Sequence, residues 1–490
     1  MLISLSWCGK AEDLFLRANA TGTDNGADWN NAWSSVTKIQ WGSGTGKVGI
    51  GDTLWIAAGR YGQIDLTAVG TNVGQVSIRR ADGDQAACTN TLGWQTSLDD
   101  RVLIELLGDT LATTSFQIQF GNTWYVSQGV AAGGNGTSWT KAWADTTQIN
   151  WGLIQPGDVI NLSGGTSGKT YSSFAATKGG IAGSPLTIRR SSEAGHDGVV
   201  TINSAVISIQ RPYTILDGGL RDKFVINVVS ATNYAARGSV NVHPAADYFE
   251  LRNASVVGDF SGGFGHSVGI AAPHAIVSRC KFVKSVFEDM LNFTSSGGSL
   301  TIEHSLFLTN IHTDEIHRDV MNPYVSGGYD LTIRGNIFVN AGDVFLIQNP
   351  TPLGNIRIAY NLFYDTARAF AFGSGNQGAA SVTAHNNVFY NVTDSVQGYG
   401  GSISVNNLKK LTGSANVRQD DGSIITNLLW LNVANPLGVD GLPFTSDDGF
   451  NLTTGSSAIN TGVSAAETQD ILLNPIVGNP DLGAYEFQGN

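Results

Sequence analysis

The sequence predicts an all-β solenoid, a right-handed parallel β-helix, on three observations. A strand-like unit recurs seven times between Tyr248 and Leu408. Each copy alternates apolar and polar residues with the period of a strand, and the intervals between copies are punctuated by Gly and Asn. A recurrence of 20 to 50 residues is the mark of stacked units, because a unit this short cannot bury its own apolar face.

The copies read Leu251-Arg252-Asn253-Ala254-Ser255-Val256, Val277-Ser278-Arg279-Cys280-Lys281-Phe282 and Ile302-Glu303-His304-Ser305-Leu306-Phe307. They continue with Ile333-Arg334-Gly335-Asn336-Ile337-Phe338, Ile358-Ala359-Tyr360-Asn361-Leu362-Phe363 and Ala384-His385-Asn386-Asn387-Val388-Phe389. A decayed copy ends at Asn406-Asn407-Leu408. The fourth positions are spaced by 26, 25, 31, 25, 26 and 20 residues. Helical repeats would place apolar residues at i, i+3, i+4 and i+7, which these copies do not. Stacking predicts an internal aromatic column of Phe282, Phe307, Phe338, Phe363 and Phe389. It also predicts a ladder of Ser305, Asn336, Asn361 and Asn387 whose amides bond from coil to coil.

This stretch resembles the right-handed β-helix superfamily, which includes pectate-lyase-like enzymes and phage tail spikes. The resemblance covers about half of the chain. It implies a polysaccharide or cell-surface glycan as partner, and for a tail spike a homotrimer. Two motif sets of the fold's enzymes are absent. The Asn-Thr-Asp-Gly and Asp-Asp motifs of polygalacturonase-like hydrolases are only brushed by Thr313-Asp314-Glu315. No Arg-His-Gly motif of alginate-lyase relatives occurs, although Arg279, Lys281 and Lys284 precede the polar cluster described below.

Composition agrees with a turn-rich β protein: 61 glycines, three methionines and 14% charged residues. The formal charge of −12 argues against nucleic acid, which needs a basic footprint. Cys8, Cys88 and Cys280 make no disulfide framework. No segment is apolar over a bilayer-spanning length. Met1 to Ala20 is a poor signal peptide, interrupted by Lys10, Glu12 and Asp13. The expectation is an extracellular or virion protein, either missing its leader or released without one.

The first 200 residues hold a duplication. Asp28-Trp29-Asn30-Asn31-Ala32-Trp33 returns as Ser138-Trp139-Thr140-Lys141-Ala142-Trp143, and Ile39-Gln40-Trp41-Gly42 as Ile149-Asn150-Trp151-Gly152. Gly51-Asp52-Thr53-Leu54 returns as Gly157-Asp158-Val159-Ile160, and Ser77-Ile78-Arg79-Arg80 as Thr187-Ile188-Arg189-Arg190. The predicted organisation is an N-terminal β module over 1–122, a second copy of the opening over 123–200, the β-helix core over 201–420 and a C-terminal cap over 421–490. The paired tryptophans suit a sugar-stacking platform or, since they recur in a duplicated unit, a plug for the end of a coil.

The richest polar stretch is Asn310-Ile311-His312-Thr313-Asp314-Glu315-Ile316-His317-Arg318-Asp319. Aligning Asp289-Met290-Leu291-Asn292, Asp314-Glu315-Ile316-His317 and Asp343-Val344-Phe345-Leu346 turns Leu291, Ile316 and Phe345 inward. Met290, Glu315 and Val344 then form one outward row, and Asn292, His317 and Leu346 another. Carboxylates on neighbouring coils would sit roughly 5 Å apart, the separation of a retaining glycosidase. The expected catalytic residues are Asp314, Glu315, His317 and Arg318. The expected substrate contacts are Glu288, Asn292, His312, Asp319, Tyr324 and Tyr329. The bland alternative for the repeated aspartates is a turn-capping role. No cofactor is expected, a calcium ion at Asp440, Asp447 and Asp448 being the one alternative. Three functions stay open: glycan recognition with or without cleavage by a tail-spike-like protein, a secreted polysaccharide lyase or glycoside hydrolase, and a non-catalytic structural or adhesive surface protein.

Overall fold

The computed structural model describes residues 12–42, 44–49, 52–65, 77–81, 86–98, 102–107, 117–118, 121–204, 206–228, 240–258, 266–283, 289–309, 319–323, 326–347, 353–372, 379–392, 394–398, 417–418, 428–464 and 467–489. It divides into two compact units. The first holds the chain up to Trp124 with 153–159 and 180–186, and the second holds the remainder.

The first unit is built on a parallel sheet of Asp13–Leu16, Thr53–Ile56, Ser77–Arg80 and Gln117–Ile118. Alternation along these strands sends Leu14, Leu16, Leu54, Ile56 and Ile78 to one side with Trp33 and Val48. Phe15 and Trp55 go to the other side, with Trp29, Cys88 and Leu98.

The duplication is repeated in three dimensions. Phe15 meets Trp29 edge-on with centroids 4.6 Å apart, as Tyr125 meets Trp139 at 4.6 Å. The Trp33 amide donates to the Phe15 carbonyl, and the Trp143 amide to that of Tyr125. The Gly-Asp turns have the same job. Asp52 accepts from the amides of Glu12 and Gly49, each at 2.8 Å, while Asp158 accepts from those of Asn122 and Gln155 at 2.7 and 2.9 Å. Trp29, Trp33 and Trp143 are buried, so these three rings are packing groups, not a sugar platform.

The second unit is the coil. From Val159–Leu162 to Asp394–Gly398 its strands fall in turn on three parallel sheets, each strand pairing with the one three places on. The first face runs from Thr123–Val126 to Ala379–His385 and the second from Lys169–Tyr171 to Val417–Arg418. The third runs from Ala175–Ala176 to Asp394–Gly398. The chain therefore folds as the expected parallel β-helix, right-handed as parallel crossovers are.

Two internal columns hold the coils in register. Phe282, Phe307, Phe338, Phe363 and Phe389 stack at successive centroid distances of 4.7, 5.0, 5.0 and 4.7 Å. At the bend between the first and second faces lies the amide ladder. Asn361 Nδ2 donates to Asn387 Oδ1 at 3.0 Å and to the Ile333 carbonyl at 2.9 Å, while its Oδ1 accepts from the Asn336 amide at 3.0 Å. Ser305 and Cys280 continue the ladder. Burial pushes the Cys280 thiol up to about 12, so it serves there as a small packed group.

The residue before each ladder position makes the bend with positive φ: Asn253, Arg279, His304, Gly335, Tyr360 and Asn386 lie between 47° and 60°. Glycine is required at one of them, because a Cβ on Gly335 would sit 2.6 Å from His304 Cδ2. The decayed copy ending at Leu408 lies outside the described residues, and the next rung on the second face is Val417–Arg418, paired with Val388–Phe389.

Residues 428–489 lie along the outer side of the second face. Phe444, Phe450, Leu452, Ile471, Leu482 and Tyr485 share one apolar cluster with Leu306, Ile337, Leu362 and Val388. The Arg221 guanidinium lies 3.4 Å over the Phe444 ring. Asp447 and Asp448, weighed above as calcium ligands, clasp backbone amides instead. Asp447 Oδ2 accepts from Val439 and Asp440, and Asp448 Oδ2 from Phe444, Thr445 and the Tyr485 hydroxyl. Among the described residues no group of three His, Cys, Asp or Glu side chains is arranged to hold a metal.

Phe338→Ala should cost about 3–5 kcal/mol in denaturant unfolding, because the ring is fully buried between two others. A loss well under about 1 kcal/mol would mean that the column is not core.

Candidate functional site

The expected site falls largely outside the described residues: Glu288, His312, Asp314, Glu315, His317, Arg318 and Tyr324 all do. The three that are described, Asn292, Asp319 and Tyr329, are buried at 8%, 2% and 0% exposure. They therefore do not line an open groove. Asn292 is on the outer side of the third face, yet Met290, Val320, Asn322 and Val344 around it are buried as well. Tyr329 reaches the interior, its hydroxyl 3.5 Å from the Ala272 carbonyl.

The alignment behind that site also needs correction. The strand on this coil is Asp319–Pro323, with Met321 beside Leu291 and Phe345, and Asp319 beside Asp343. The inward place given to Ile316 therefore belongs to Met321. Ten residues, 309–318, separate this strand from Leu306–Leu308, against three, 340–342, on the next coil. The extra residues of the 31-residue repeat thus precede the strand, and an equal-spacing alignment places the register five residues early.

The corrected register creates a buried column of ionisable groups at the entry to the third face. His266, Asp289, Asp319, Asp343 and Arg368 follow one another up the coil. His266 Nδ1 is 3.3 Å from Asp289 Oδ2, and Arg368 is ion-paired with Asp343. Asn292 Nδ2 donates to Asp289 Oδ2 at 3.2 Å. Asp319 sits between two carboxylates. Burial first, and then the charges of Asp289 and Asp343, push its carboxyl well above the usual range, so it keeps its proton and can donate. This is a buried acid column inside the wall, its described members 8% exposed or less apart from Arg368.

Among the described residues, the first face carries accessible outward side chains along its length. Outward positions there fall into columns, one residue per rung. The first column is Tyr213, Tyr248, His274, Ser299, Asp330, Asn355 and Ser381. Two residues along each strand runs a second: Ile215, Glu250, Ile276, Thr301, Thr332, Arg357 and Thr383. The aromatic end is ordered by ring stacking. Tyr213 and Tyr248 stack at 4.7 Å, as do Tyr248 and His274, and Tyr248 remains 48% exposed. Asp247 fixes the end of the stack, accepting from the His274 amide at 2.9 Å and facing its Nδ1 at 2.8 Å. Beyond it the column is amide and hydroxyl. Asn355 Nδ2 donates to Asp330 Oδ1 at 3.2 Å, and the Ser381 hydroxyl donates to Asn355 Oδ1 at 2.7 Å.

None of these residues was singled out from the sequence. The signal was present, because each flanks an inward apolar residue of the repeat that the alternation identifies. Chemical variety along the column, Tyr to His to Ser to Asp, hides it from a search for identical repeats.

No family model matches the chain, and no curated protein matches it. Among solved structures it is similar to one titled "Crystal structure of pectate lyase Pel9A". The identity is 15% and the TM-score 0.47, over 74% of this chain and 96% of that one.

The raised Asp319 carboxyl sets a pH dependence. Its folded value lies above the unfolded value of about 3.9, so the fold binds this proton more tightly. The stabilisation is complete below that unfolded value and is lost as pH rises through the folded one. Asp319→Asn should therefore lose less stability than the wild type when thermal unfolding is compared at mildly acidic and mildly alkaline pH. Identical pH slopes for the two proteins would reject the shared-proton account.

Proposed function

We propose that this chain recognises an extended glycan along the first face of its coil, as an extracellular or virion-associated protein. The observation that carries the proposal is the open outer side of that face, with its Tyr213–Tyr248–His274 stack continuing into a ladder of hydrogen-bonding side chains. The Tyr hydroxyls and ring edges offer both apolar contact and donors to a sugar, the mixture that makes aromatics effective at binding surfaces. Stacked repeats present such a surface as a continuous strip, which suits a linear chain better than a compact molecule. The other two faces are less available. The C-terminal segment covers much of the second, and the outer side chains of the third are buried at 289–345 wherever they are described.

Cleavage remains a second reading. It rests on Asp314 and on the unrepeated polar residues Glu315, His317 and Arg318, in the ten residues before Asp319–Pro323. Insertions on a rigid scaffold are where catalytic groups are commonly carried. In that reading Glu315 or Asp314 is the acid or base, and His317 or Arg318 holds substrate charge.

Tyr248→Ala should weaken glycan binding roughly tenfold, as loss of one well-placed aromatic contact does. Binding is read by calorimetry against a ligand identified on a glycan array, with circular dichroism to confirm the fold. Unchanged affinity would remove the first face from the site. Glu315→Gln should abolish any depolymerisation seen with the same ligand, and full activity in that variant would reject the catalytic role.

A further inference from the structure

We infer that the glycan taken by the first face is an uncharged one and not a polymer of uronic acids. The inference rests on the glycan reading above and specifies its chemistry.

The charges on the face decide the matter. A uronate chain carries a carboxylate on each sugar and would be held by free guanidinium forks or ammonium groups. Among the described residues between Tyr213 and Thr383, three arginines of the face, Arg252, Arg334 and Arg357, each already have an acid. Arg252 lies with Nε 2.9 Å from Asp217 Oδ2 and Nη1 3.3 Å from Glu250 Oε1. Arg334 Nε donates to Glu303 Oε2 at 2.8 Å. Arg357 Nη2 donates to Glu467 Oε2 at 2.7 Å, from the C-terminal segment. Taking any of these for a ligand would strand a protein carboxylate, which costs more than the new pair returns.

Two aspartates lie on or beside the first column. Asp247 faces His274, and Asp330 spends Oδ1 on the amide and side chain of Asn355, with no cation among its described hydrogen-bond partners. A carboxylate-bearing chain laid along this column would meet the Asp247 carboxylate beside its aromatic end and that of Asp330 midway along it. Like-charge juxtaposition is an effective way to reject a wrong partner.

The uncharged alternative fits what remains. Two successive rungs offer pairs of hydrogen-bonding groups two residues apart, Ser299 with Thr301 and Asp330 with Thr332, and past the rung of Asn355 and Arg357 comes Ser381 with Thr383. Rungs recur at about 4.8 Å, close to the advance of one pyranose along an extended chain. A chain lying along the coil axis would therefore meet a hydroxyl or carboxylate acceptor at each sugar over several rungs. Sugar hydroxyls donate to both.

The test uses the full chain with two sets of oligosaccharides. Neutral ones are glucan, xylan, mannan and galactan fragments; acidic ones are oligogalacturonates and alginate fragments. Binding is measured at low and at high salt, for the wild type and for Asp330→Arg. The expected result is binding to at least one neutral set, little changed by salt, with acidic fragments at least tenfold weaker. Asp330→Arg should narrow that gap by several-fold at low salt. Preferential, salt-sensitive binding of the acidic fragments by the wild type would overturn the inference while leaving the glycan reading intact. Binding to neither set, with the protein shown to be folded, would overturn the glycan reading itself.

Discussion

Register between coils is the constraint on which the rest of this structure depends. The parallel ladder between rungs fixes neighbours along each strand, but backbone bonds alone would tolerate a slip. A slip of one residue would turn every inward side chain outward. The internal columns forbid it. Phe338 stacks on Phe307 and Phe363 only when their strands align, and Asn361 reaches both Asn387 Oδ1 and the Ile333 carbonyl only in that same alignment. The outward columns inherit their order from these inward ones. Tyr213, Tyr248 and His274 are stacked because Leu216, Leu251 and Val277 are aligned behind them.

The corners of the coil show two solutions to one problem, how to bury polar groups where strands end. Between the first and second faces the solution is neutral. Asn amides carry a donor and an acceptor, so each rung satisfies the next without net charge. At the entry to the third face the solution is ionic. Three aspartates in succession cannot all be charged at strand spacing, so protonation of Asp319 is what makes the column tolerable, with Arg368 and His266 at its two ends. The amide ladder is indifferent to pH and the acid column is not. Of the two corners, the one at the third face should therefore respond to pH and the Asn bend should not.

Much of this was legible in the sequence, for a physical reason. Inward positions must repeat the same shape, and Phe282 to Phe389 and Ser305 to Asn387 announce themselves by identity. Bend residues were harder. Asn253, Arg279, His304, Gly335, Tyr360 and Asn386 share a backbone conformation but no side-chain chemistry, so only φ unites them. The third face misled for a different reason. Asp314 and Asp319 are both followed two residues on by a large apolar residue, and the local pattern fits either. The choice depends on the length of the connection, which alternation does not encode. The burial of Asn292 and Val344 was invisible too, since it depends on what lies over the face and not on the strand itself.

The partition of the three faces is what gives the functional argument its direction. A parallel sheet face stripped of cover needs side chains that remain compatible with water. On the second face, Leu306, Ile337, Leu362 and Val388 point outward, and they are viable only beneath the apolar residues of 428–489. On the first face three outward rungs pair Thr301, Thr332 and Thr383 with Ser299, Asp330 and Ser381, which need no cover. Ion pairs stabilise the same surface from its edge: Asp217–Arg252 and Glu303–Arg334 bridge consecutive or nearby coils at the bend. A surface aligned by the core behind it, with Arg252, Arg334 and Arg357 already paired to acids, is poorly suited to gripping charge. It is well suited to making many weak, repeated hydrogen bonds, and those add up only for a ligand that is itself repetitive.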